Sequence, residues 1–312
     1  MVDLFYNLYS HVSNKNNIWE KTKINSLIRN FIRIACNITL PLYYNVNNFF
    51  FTHKIETSNA TSGRLIASLT TFPARIGKLW IVIETIMRQK QKPDKLILWL
   101  SKDQFESFDE IPSKLQKLQK RGLEIVFCDG DLRSHKKYYY VLKEYPNDHL
   151  FTFDDDILYP SNTISSVMES AHHHPNCVIG RYSNHLTKKS NNEIVIDRMF
   201  SQPYVNTPSY STFIGSGGGT FYPQGALPEI ATRSEVFMDI CKTADDVWLN
   251  TMCRFNNYPV VAIIDKCPLI EIYNRRNVTL TSINQGDLNH LQLRKVREFC
   301  IANGKDPFAT LD

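Results

Sequence analysis

The sequence predicts an α/β protein with a mainly parallel, doubly wound sheet flanked by helices and preceded by an N-terminal helical extension. Short apolar runs typical of buried strands recur from residue 64 onward, at about the 30-residue period of strand–helix–strand units. The segments between them carry apolar residues at helical spacing. The runs are continuously apolar rather than alternating, as expected of strands covered on both faces.

The predicted elements follow one another in a regular order along the chain. The strands are 64–69, 95–100, 123–127, 150–153, 177–180, 260–264 and 269–272. The helices are 78–87, 112–121, 134–145, 161–173, one from about 245, and 285–301. Pro112 and Gly122 mark the start and the end of the second helix. The polar stretch 183–210 is expected to lack regular structure.

A linker over 53–63 suggests where the chain divides. Residues 1–60 are assigned to the N-terminal helical extension. Residues 61–312 are assigned to one α/β domain, with a first half over 61–160 and a second half over 161–312.

Composition sets limits on the function. Of the 312 residues, 43% are apolar and 21% charged, so the chain can bury a sizeable core and is not disordered. The net charge of +5 is too small to argue for nucleic acid, but it suits anionic small substrates or an acidic membrane surface. Seven scattered cysteines without a C-x-x-C pair predict free thiols in a reducing compartment, hence the cytoplasm.

The N-terminal residues leave two interpretations open. We expect no secretory leader at the start of the chain and no membrane span over 36–51, which holds four asparagines and Pro41. Residues 20–34 combine apolar residues at helical spacing with lysines and arginines. They could form a helix that packs on the domain, or a basic amphipathic helix that makes peripheral contact with an acidic membrane.

Three consecutive carboxylates, Asp154, Asp155 and Asp156, follow the fourth predicted strand. Ligands of open α/β sheets bind at the carboxyl ends of strands. Adjacent carboxylates repel one another, so this cluster needs a compensating cation, and Asp154 and Asp156 could share one divalent ion. A phosphatase with a nucleophilic aspartate also uses D-x-D, but at the end of its first strand. The alternative is that the three aspartates have no functional role and form a solvated turn after the strand.

A second acidic pair, Asp245 and Asp246, starts a predicted helix. Thr243 as N-cap with acids in the first turn would explain this composition by helix capping alone. The functional interpretation is a carboxylate aimed into the cleft as a general base. The two interpretations are compatible.

Glycines and basic residues complete the candidate site. The segment 215–219 holds four glycines, including Gly217, Gly218 and Gly219, which suits either a tight turn or close approach of backbone to a ligand. Lys136 and Lys137 begin the helix before the acidic strand end, where they could meet a diphosphate. We also assign Thr70, Arg75 and Asp129 to the nucleotide site.

Five segments in order resemble a group of bacterial glycosyltransferases of the GT-A type that make capsule, lipopolysaccharide and other surface glycans. They are SLTTFPARI (68–76), KPDKLILWLS (92–101), FTFDDDILYP (151–160), GGGTFYP (217–223) and TADDVWLN (243–250). The resemblance covers about residues 64–295. It implies a GT-A-like fold with a Rossmann-type sheet, whose first half binds the nucleotide and whose second half binds the acceptor.

The resemblance also implies a nucleotide-sugar donor, most simply a UDP-sugar, and a glycan or lipid-linked acceptor. Asp156 would bind Mn²⁺ or Mg²⁺, Asp154 the ribose or the metal, and Asp155 would lie near the donor sugar. Asp246, with Asp245 beside it, matches the base of inverting enzymes. The family often has Asp after Asn near the end of the domain. Here His290 follows Asn289, so His290 is a candidate metal or diphosphate ligand.

Two other classes of function remain as alternatives. A sugar nucleotidyltransferase shares the sheet and the acidic metal site, but it needs a glycine-rich basic loop after the first strand, and the loop 70–77 has one arginine and no glycine run. A non-catalytic glycan-binding subunit would tolerate substitution of both acidic clusters. The sequence identifies neither the sugar nor the acceptor, and it does not show whether the anomeric configuration of the sugar is inverted or retained.

Overall fold

The computed structural model describes residues 1–12, 24–56, 60–197, 203–265, 267–273 and 288–311. Its strands are β1 (Leu65–Thr70), β2 (Lys95–Ser101), β3 (Leu123–Cys128), β4 (His149–Phe153), β5 (Val178–Gly180), β6 (Ser183–Lys188), β7 (Ile194–Asp197), β8 (Thr212–Ile214), β9 (Gly218–Tyr222) and β10 (Val260–Ala262). The main sheet has the order β10–β5–β9–β4–β1–β2–β3, with β9 antiparallel to its neighbours and the other strands parallel. Strands β7, β6 and β8 form a second, antiparallel sheet.

Helices cover both faces of the main sheet. They are α1 (Val2–Val12), α2 (Ile24–Phe50), α3 (Ile76–Met87), α4 (Ser113–Leu118), α5 (Lys136–Glu144), α6 (Thr163–His173), α7 (Ser234–Ile240), α8 (Asp245–Phe255) and α9 (Leu288–Ala302). The predicted α/β class with a mainly parallel sheet is therefore confirmed. None of the described helices combines the length and the hydropathy that crossing a membrane requires.

Alternate residues of the central strands enter two separate cores. Leu65, Ala67 and Leu69 of β1 pack into the core under α1, α2, α3 and α6, whereas Ile66 packs into the core under α5, α7, α8 and α9. This alternation follows from the twofold period of a strand. Because both faces are covered, the parallel strands contain continuous apolar runs, as the sequence shows.

The N-terminal helices share the first core with the α/β domain. Cys36, Leu40 and Tyr44 on the inward face of α2 are buried in it. The Tyr6 hydroxyl of α1 donates to the carbonyl oxygen of Leu158 at 2.5 Å. The Asp3 carboxylate accepts hydrogen bonds from the backbone N–H and the hydroxyl of Ser161. Helices α1 and α2 are thus fastened to the domain by both apolar and polar contacts.

A buried carboxylate, Glu84 of α3, fastens the C-terminal end of α2. Its side chain is only 1% exposed and accepts from the guanidinium groups of Arg121 and Arg88 and from the Asn48 amide. Arg88 also donates to the amide oxygens of Asn47 and Asn48. A carboxylate is stable at such a buried position only because these donors replace its hydration.

Two expectations about local structure were wrong. The polar stretch 183–210 contains β6 and β7, which form because Leu186, Ile194 and Ile196 are buried on one face of the small sheet. The predicted strand over 269–272 makes only one isolated bridge, between Ile157 and Glu271, in the described part of the chain. The predicted linker over 53–63 has no helix or strand in its described residues, 53–56 and 60–63, although Ile55 is buried and its N–H donates to the Arg121 carbonyl oxygen at 2.9 Å.

Replacement of Glu84 by Gln tests this anchor. The neutral amide removes the charge that balances Arg121 and Arg88, so we expect the free energy of unfolding to fall by about 3 kcal/mol. Glu124→Gln is the matched control, because Glu124 pairs with Lys95 but is 35% exposed. The control should change stability by less than about 1 kcal/mol. Urea denaturation measures both variants, and equal losses would contradict the anchoring role.

Candidate active site

The candidate site is a cavity of about 530 Å³ at the carboxyl ends of the parallel strands. The ends of β1 and β4 supply its floor, and the starts of α5 and α8 supply its walls. This position follows from topology, because the polar groups after adjacent parallel strands converge at one edge of the sheet. The small sheet closes the opposite side through Asn184, Ile196 and Phe213.

Two of the three consecutive aspartates share one arginine. Asp155 is buried and accepts from the Thr71 hydroxyl at 2.6 Å and from Arg75 Nη1 at 2.7 Å. The same Arg75 nitrogen lies 2.9 Å from the Asp156 carboxylate, which is 22% exposed. Arg75 therefore supplies part of the compensating charge that three adjacent carboxylates require.

Asp154 is bound to a different cation. Its carboxylate lies 2.8 Å from Nζ of Lys137, and the same ammonium lies 2.8 Å from the Asp245 carboxylate. The Lys137 side chain is only 3% exposed. Burial alone would lower the pKa of Lys137, but the nearby Asp154, Asp245 and Asp246 charges outweigh it and raise that pKa. One buried ammonium thus connects the first acidic cluster with the second.

The second acidic pair divides into two environments at the start of α8. Asp245 is buried and accepts from the Ser216 hydroxyl at 2.7 Å, and the Ser216 N–H donates to Asp246 Oδ1 at 2.6 Å. The expectation that Thr243 caps this helix was wrong. Ala244 is the N-cap, and the Thr243 hydroxyl lies 3.2 Å from Gln292 Oε1.

The two environments shift the two carboxyl groups in opposite directions. Burial raises the pKa of Asp246 to about 6, and the neighbouring Asp245 charge adds to this effect. Burial would also raise the pKa of Asp245, but Lys137 outweighs it and holds that pKa below its usual range. Paired acids with separated pKa values are typical of acid–base sites. Burial and the Asp155 charge likewise raise the pKa of Asp156 to about 7.

Gly217 is required because its backbone touches the Asp154 carboxylate. A Cβ atom at Gly217 would lie 1.7 Å from Asp154 Oδ2. The Asp154 N–H in turn donates to the Gly217 carbonyl oxygen at 3.3 Å and to the Tyr159 hydroxyl oxygen at 2.7 Å. The glycine-rich segment thus forms a tight turn, closed by the Gly218 N–H to the Gly215 carbonyl oxygen at 3.1 Å, and Gly217 leaves room there for the Asp154 carboxylate.

A polar subsite lies beside the acidic cluster, after β2 and β3. Asp131 accepts from Lys136 Nζ at 2.6 Å and from the Gln104 amide at 2.9 Å. It also accepts from the backbone N–H of Arg133, whose φ of 52° places it in the left-handed region. The surrounding structure holds this strained residue at the wall of the cavity, as is common at binding sites.

The structure brings most of the predicted site residues together, but not all of them. The predicted residues that line the cavity are Thr70, Arg75, Lys136, Lys137, Asp154, Asp155, Asp156, Gly217, Gly218, Asp245 and Asp246. Asp129 lies outside it, 90% exposed and paired with Lys102. Gly219 and His290 are not among the lining residues either. Asn289, the residue before His290, does line the cavity.

Sequence reasoning missed Gln104, Asp131, Tyr182 and Glu271, which also line the cavity. Gln104 and Asp131 follow the second and third strands, so the rule that predicted the acidic cluster could have found them. No sequence signal identified Tyr182, which lies between β5 and β6, or Glu271, which lies outside any regular element.

The donor set of the cavity fits a divalent metal only in part. In the described part of the chain, no three His, Cys, Asp or Glu side chains form a group that could hold a metal ion. Asp154 and Asp156 do provide hard carboxylate oxygens at the cavity wall, with side chains 41% and 22% exposed. Two carboxylates suffice for Mg²⁺ when substrate phosphates and water complete its coordination.

Comparison with solved structures identifies the fold. The chain is similar to the mannosyltransferase PcManGT from Pyrobaculum calidifontis in complex with GDP-Man and Mn²⁺, with a TM-score of 0.50 and 13% identity over 89% of this chain and 77% of that one. The chain is also similar to S. aureus TarS 1–349 in complex with UDP-GlcNAc, with a TM-score of 0.48 and 12% identity over 80% of this chain and 67% of that one. For a 4-diphosphocytidyl-2C-methyl-D-erythritol synthase the TM-score is 0.41 and the identity 10%, over 72% of this chain and 97% of that one.

No protein-family model matches the sequence, and no curated protein is similar to it in sequence. At 13% identity the likeness to the mannosyltransferase establishes the architecture alone. The chain therefore has a GT-A-like fold, as expected from the sequence, with its acidic cavity at the carboxyl edge of the sheet.

Gly217→Ala tests the close packing under Asp154. The added methyl group overlaps the carboxylate, so we expect a loss of stability of about 1–3 kcal/mol as the cluster moves apart. Gly77→Ala is the control, because a Cβ there meets nothing within 4 Å and the residue lies in the first turn of α3. The control should be neutral or more stable by up to about 1 kcal/mol. Thermal unfolding of both variants measures the difference, and an equally stable Gly217→Ala would show that the segment yields without cost.

Proposed function

We propose that the protein is a glycosyltransferase that uses a nucleotide-sugar donor. The observation that carries this proposal is the pair of acidic clusters joined by Lys137 inside the cavity of a GT-A-like fold. One cluster faces the place where a diphosphate can enter between Arg75 and Lys136. The other presents a carboxylate, Asp246, that can accept a proton from an acceptor hydroxyl.

A divalent cation, Mn²⁺ or Mg²⁺, is part of the proposal for electrostatic reasons. Among the described residues, seven carboxylates and four cationic side chains line the cavity. An anionic diphosphate enters such a cavity at low cost only with additional positive charge. Asp156 and Asp154 would hold the ion, which would stabilise the charge on the departing nucleotide. Arg75 holds Asp155 and Asp156 in place, and we keep Asp155 near the donor sugar.

The polar subsite after β2 and β3 is proposed to hold the nucleoside. Gln104, Asp131 and Lys136 offer an amide, a carboxylate and an ammonium within one hydrogen-bonded group. Thr70 at the end of β1 lies on the same side of the cavity. A UDP-sugar remains our first choice of donor, and Asp129 and His290 are no longer proposed as ligands because neither lines the cavity.

Asp246 is proposed as the general base and Asp245 as the residue that positions the cluster. Because its pKa is raised to about 6, Asp246 is ionised at neutral pH yet basic enough to take a proton. Its hydrogen bond from the Ser216 N–H orients the carboxylate. Asp245 stays ionised to balance Lys137. This division assigns direct attack of the acceptor hydroxyl on the sugar carbon, with inversion.

The acceptor is proposed to bind at the wall of the cavity that the small sheet contributes. The wall formed by Tyr182, Asn184, Ile196 and Phe213 mixes apolar and polar groups, which suits a glycan or a lipid-linked glycan. A role in the synthesis of bacterial surface polysaccharides, on the cytoplasmic side, rests on the sequence resemblance. Contact with a membrane is a separate proposal that depends on the surface of the N-terminal helices.

Donor binding tests the proposal directly. Thermal unfolding is measured with UDP- and GDP-sugars, with Mn²⁺ or with EDTA. We expect a donor at a hundredfold excess over Kd to stabilise the protein by about 2.7 kcal/mol, and only with the metal. Asp156→Asn should lose this stabilisation, while Asp239→Asn, on the exposed face of α7, should keep it. Full stabilisation by the donor in EDTA would contradict the proposed need for a divalent metal. Release of pyrophosphate from a nucleoside triphosphate would instead indicate a nucleotidyltransferase.

The base role predicts a separation of binding from turnover. Asp246→Asn should bind the donor with unchanged Kd, while kcat falls by about 10²-fold or more. In the wild type the rate should fall as pH drops through about 6, because the protonated carboxyl cannot accept a proton. Asp245→Asn should instead lower stability, since Lys137 loses one of its two carboxylates. Calorimetry and single-turnover rates distinguish these outcomes, and normal turnover by Asp246→Asn would place the base elsewhere.

A further inference from the structure

Helix α2 is apolar on two opposite faces. Its inward face packs Ile32, Cys36, Leu40 and Tyr44 into the first core. On the other side, an outer stripe of apolar residues faces solvent along the whole helix. The members of the outer stripe are Leu27, Phe31, Ile34, Ile38, Leu42, Val46 and Phe49, each between 51% and 92% exposed. Their spacing of three or four residues places them on one side of the helix.

This exposure is concentrated in one part of the molecule. Of the 17 large hydrophobic residues that are exposed in the described part of the chain, 13 lie within residues 1–51. Scattered exposed apolar residues need no explanation, but a contiguous apolar surface along a helix of 27 residues marks an interaction site. At 1.5 Å per residue the helix is about 40 Å long.

The inward face determines how a partner can approach. Hydrogen bonds from Asn48 to Glu84 and from the Arg88 guanidinium to Asn47 hold the C-terminal end of α2 against the domain. Arg33 pairs with Glu271 near its other end. Because these contacts and its buried inward face hold α2 on the domain, we expect the helix to lie along an apolar surface and to insert only its outward side chains.

Charge around the outer stripe selects the kind of surface. Helix α2 carries no Asp or Glu. Two exposed lysines of the domain lie close to α2. Lys114 Nζ donates to Asn45 Oδ1 of the helix at 3.2 Å, whereas Lys78 is linked to it only through Tyr273, whose carbonyl oxygen accepts from Lys78 Nζ and whose N–H donates to Asn37 Oδ1. Cations beside an uncharged apolar stripe complement a layer with anionic headgroups above hydrocarbon.

We propose that the outer stripe of α2 is a docking surface for an anionic lipid bilayer, into which it inserts Phe31, Ile38, Phe49 and their neighbours, while Lys78 and Lys114 meet the headgroups. A second copy of the chain fits less well, because α2 offers no carboxylate to pair with these lysines across a twofold contact. The proposed surface includes Leu27, Phe31 and Ile34 of the segment expected over 20–34 and extends it to Phe49. Of that segment, Ile32 faces the core and residues 20–23 lie outside the described part of the chain.

Docking would also fix the position of the cavity. Glu271, the partner of Arg33 on α2, lines the cavity. A bilayer held along α2 therefore lies beside the site, within reach of a substrate anchored in the lipid. This consequence, unlike the docking itself, rests on the proposed function with a lipid-linked acceptor.

Flotation of the full chain with vesicles tests the docking surface. One set of vesicles is phosphatidylcholine and the other contains phosphatidylglycerol as well. We expect the wild type to float with the anionic vesicles at low salt, and the triple variant Phe31→Gln, Ile38→Gln, Phe49→Gln to bind at least tenfold more weakly. Glutamine keeps helix propensity, and unchanged thermal unfolding would show that the fold is intact.

Two further variants sharpen the result. Phe108→Gln with Ile301→Gln removes exposed apolar side chains elsewhere, at 41% and 49% exposure, and should bind as the wild type does. Lys78→Gln with Lys114→Gln should reduce the preference for anionic over neutral vesicles. Absence of wild-type flotation at low salt would overturn the proposal. So would a wild-type dimer in sedimentation experiments that the triple variant converts to monomer, because the stripe would then join two copies of the chain.

Discussion

The buried ammonium of Lys137 is the interaction on which the site depends. It lies 2.8 Å from carboxylates that follow β4 and that start α8, so it joins two elements that are distant in sequence. The Ser68 hydroxyl of β1 donates to the Lys137 carbonyl oxygen at 2.5 Å, which positions the first turn of α5 against the central strand. A charge with almost no exposure is tolerated only with such partners. Removal of either carboxylate would leave the ammonium partly unpaired, so the two clusters cannot change independently.

This constraint explains how similar residues acquire different properties. Asp245 lies against Lys137 and stays ionised. Asp246 has a raised pKa because it is buried and lies beside the negative charge of Asp245. One nitrogen of Arg75 contacts both Asp155 and Asp156, but there burial raises the pKa of both carboxyl groups. Cations therefore compensate most of each cluster, and the remaining negative charge faces the cavity. The divalent cation of the proposed function would balance this remaining charge.

The sequence predicted the parts of the fold that periodicity controls. Buried parallel strands are continuous apolar runs, so β1 to β4 and the helices between them could be located within a few residues. The convergence of Asp154 with Asp245 could be expected only from topology and resemblance, because nothing local links them. The strands β6 and β7 were missed because they bury only a few apolar side chains, Leu186, Ile194 and Ile196, within a polar sequence. Asp131, and not Asp129, lines the cavity: the chain bends directly after β3, and Gly130 between the two aspartates has a φ of 76°, so strand alternation could not predict their directions.

Helix α2 shows where a single sequence pattern is ambiguous. Periodicity detects that a helix has apolar residues at positions three and four apart, but it cannot tell a face that meets a core from a face that meets something else. Here both faces exist: the inward one is covered by the domain and the outer one is not. The buried network around Glu84 makes this arrangement rigid. The polar contacts that hold α2 therefore do more than stabilise the fold. They keep the apolar outer stripe facing solvent, although burying these side chains against the protein would lower the free energy of the folded state.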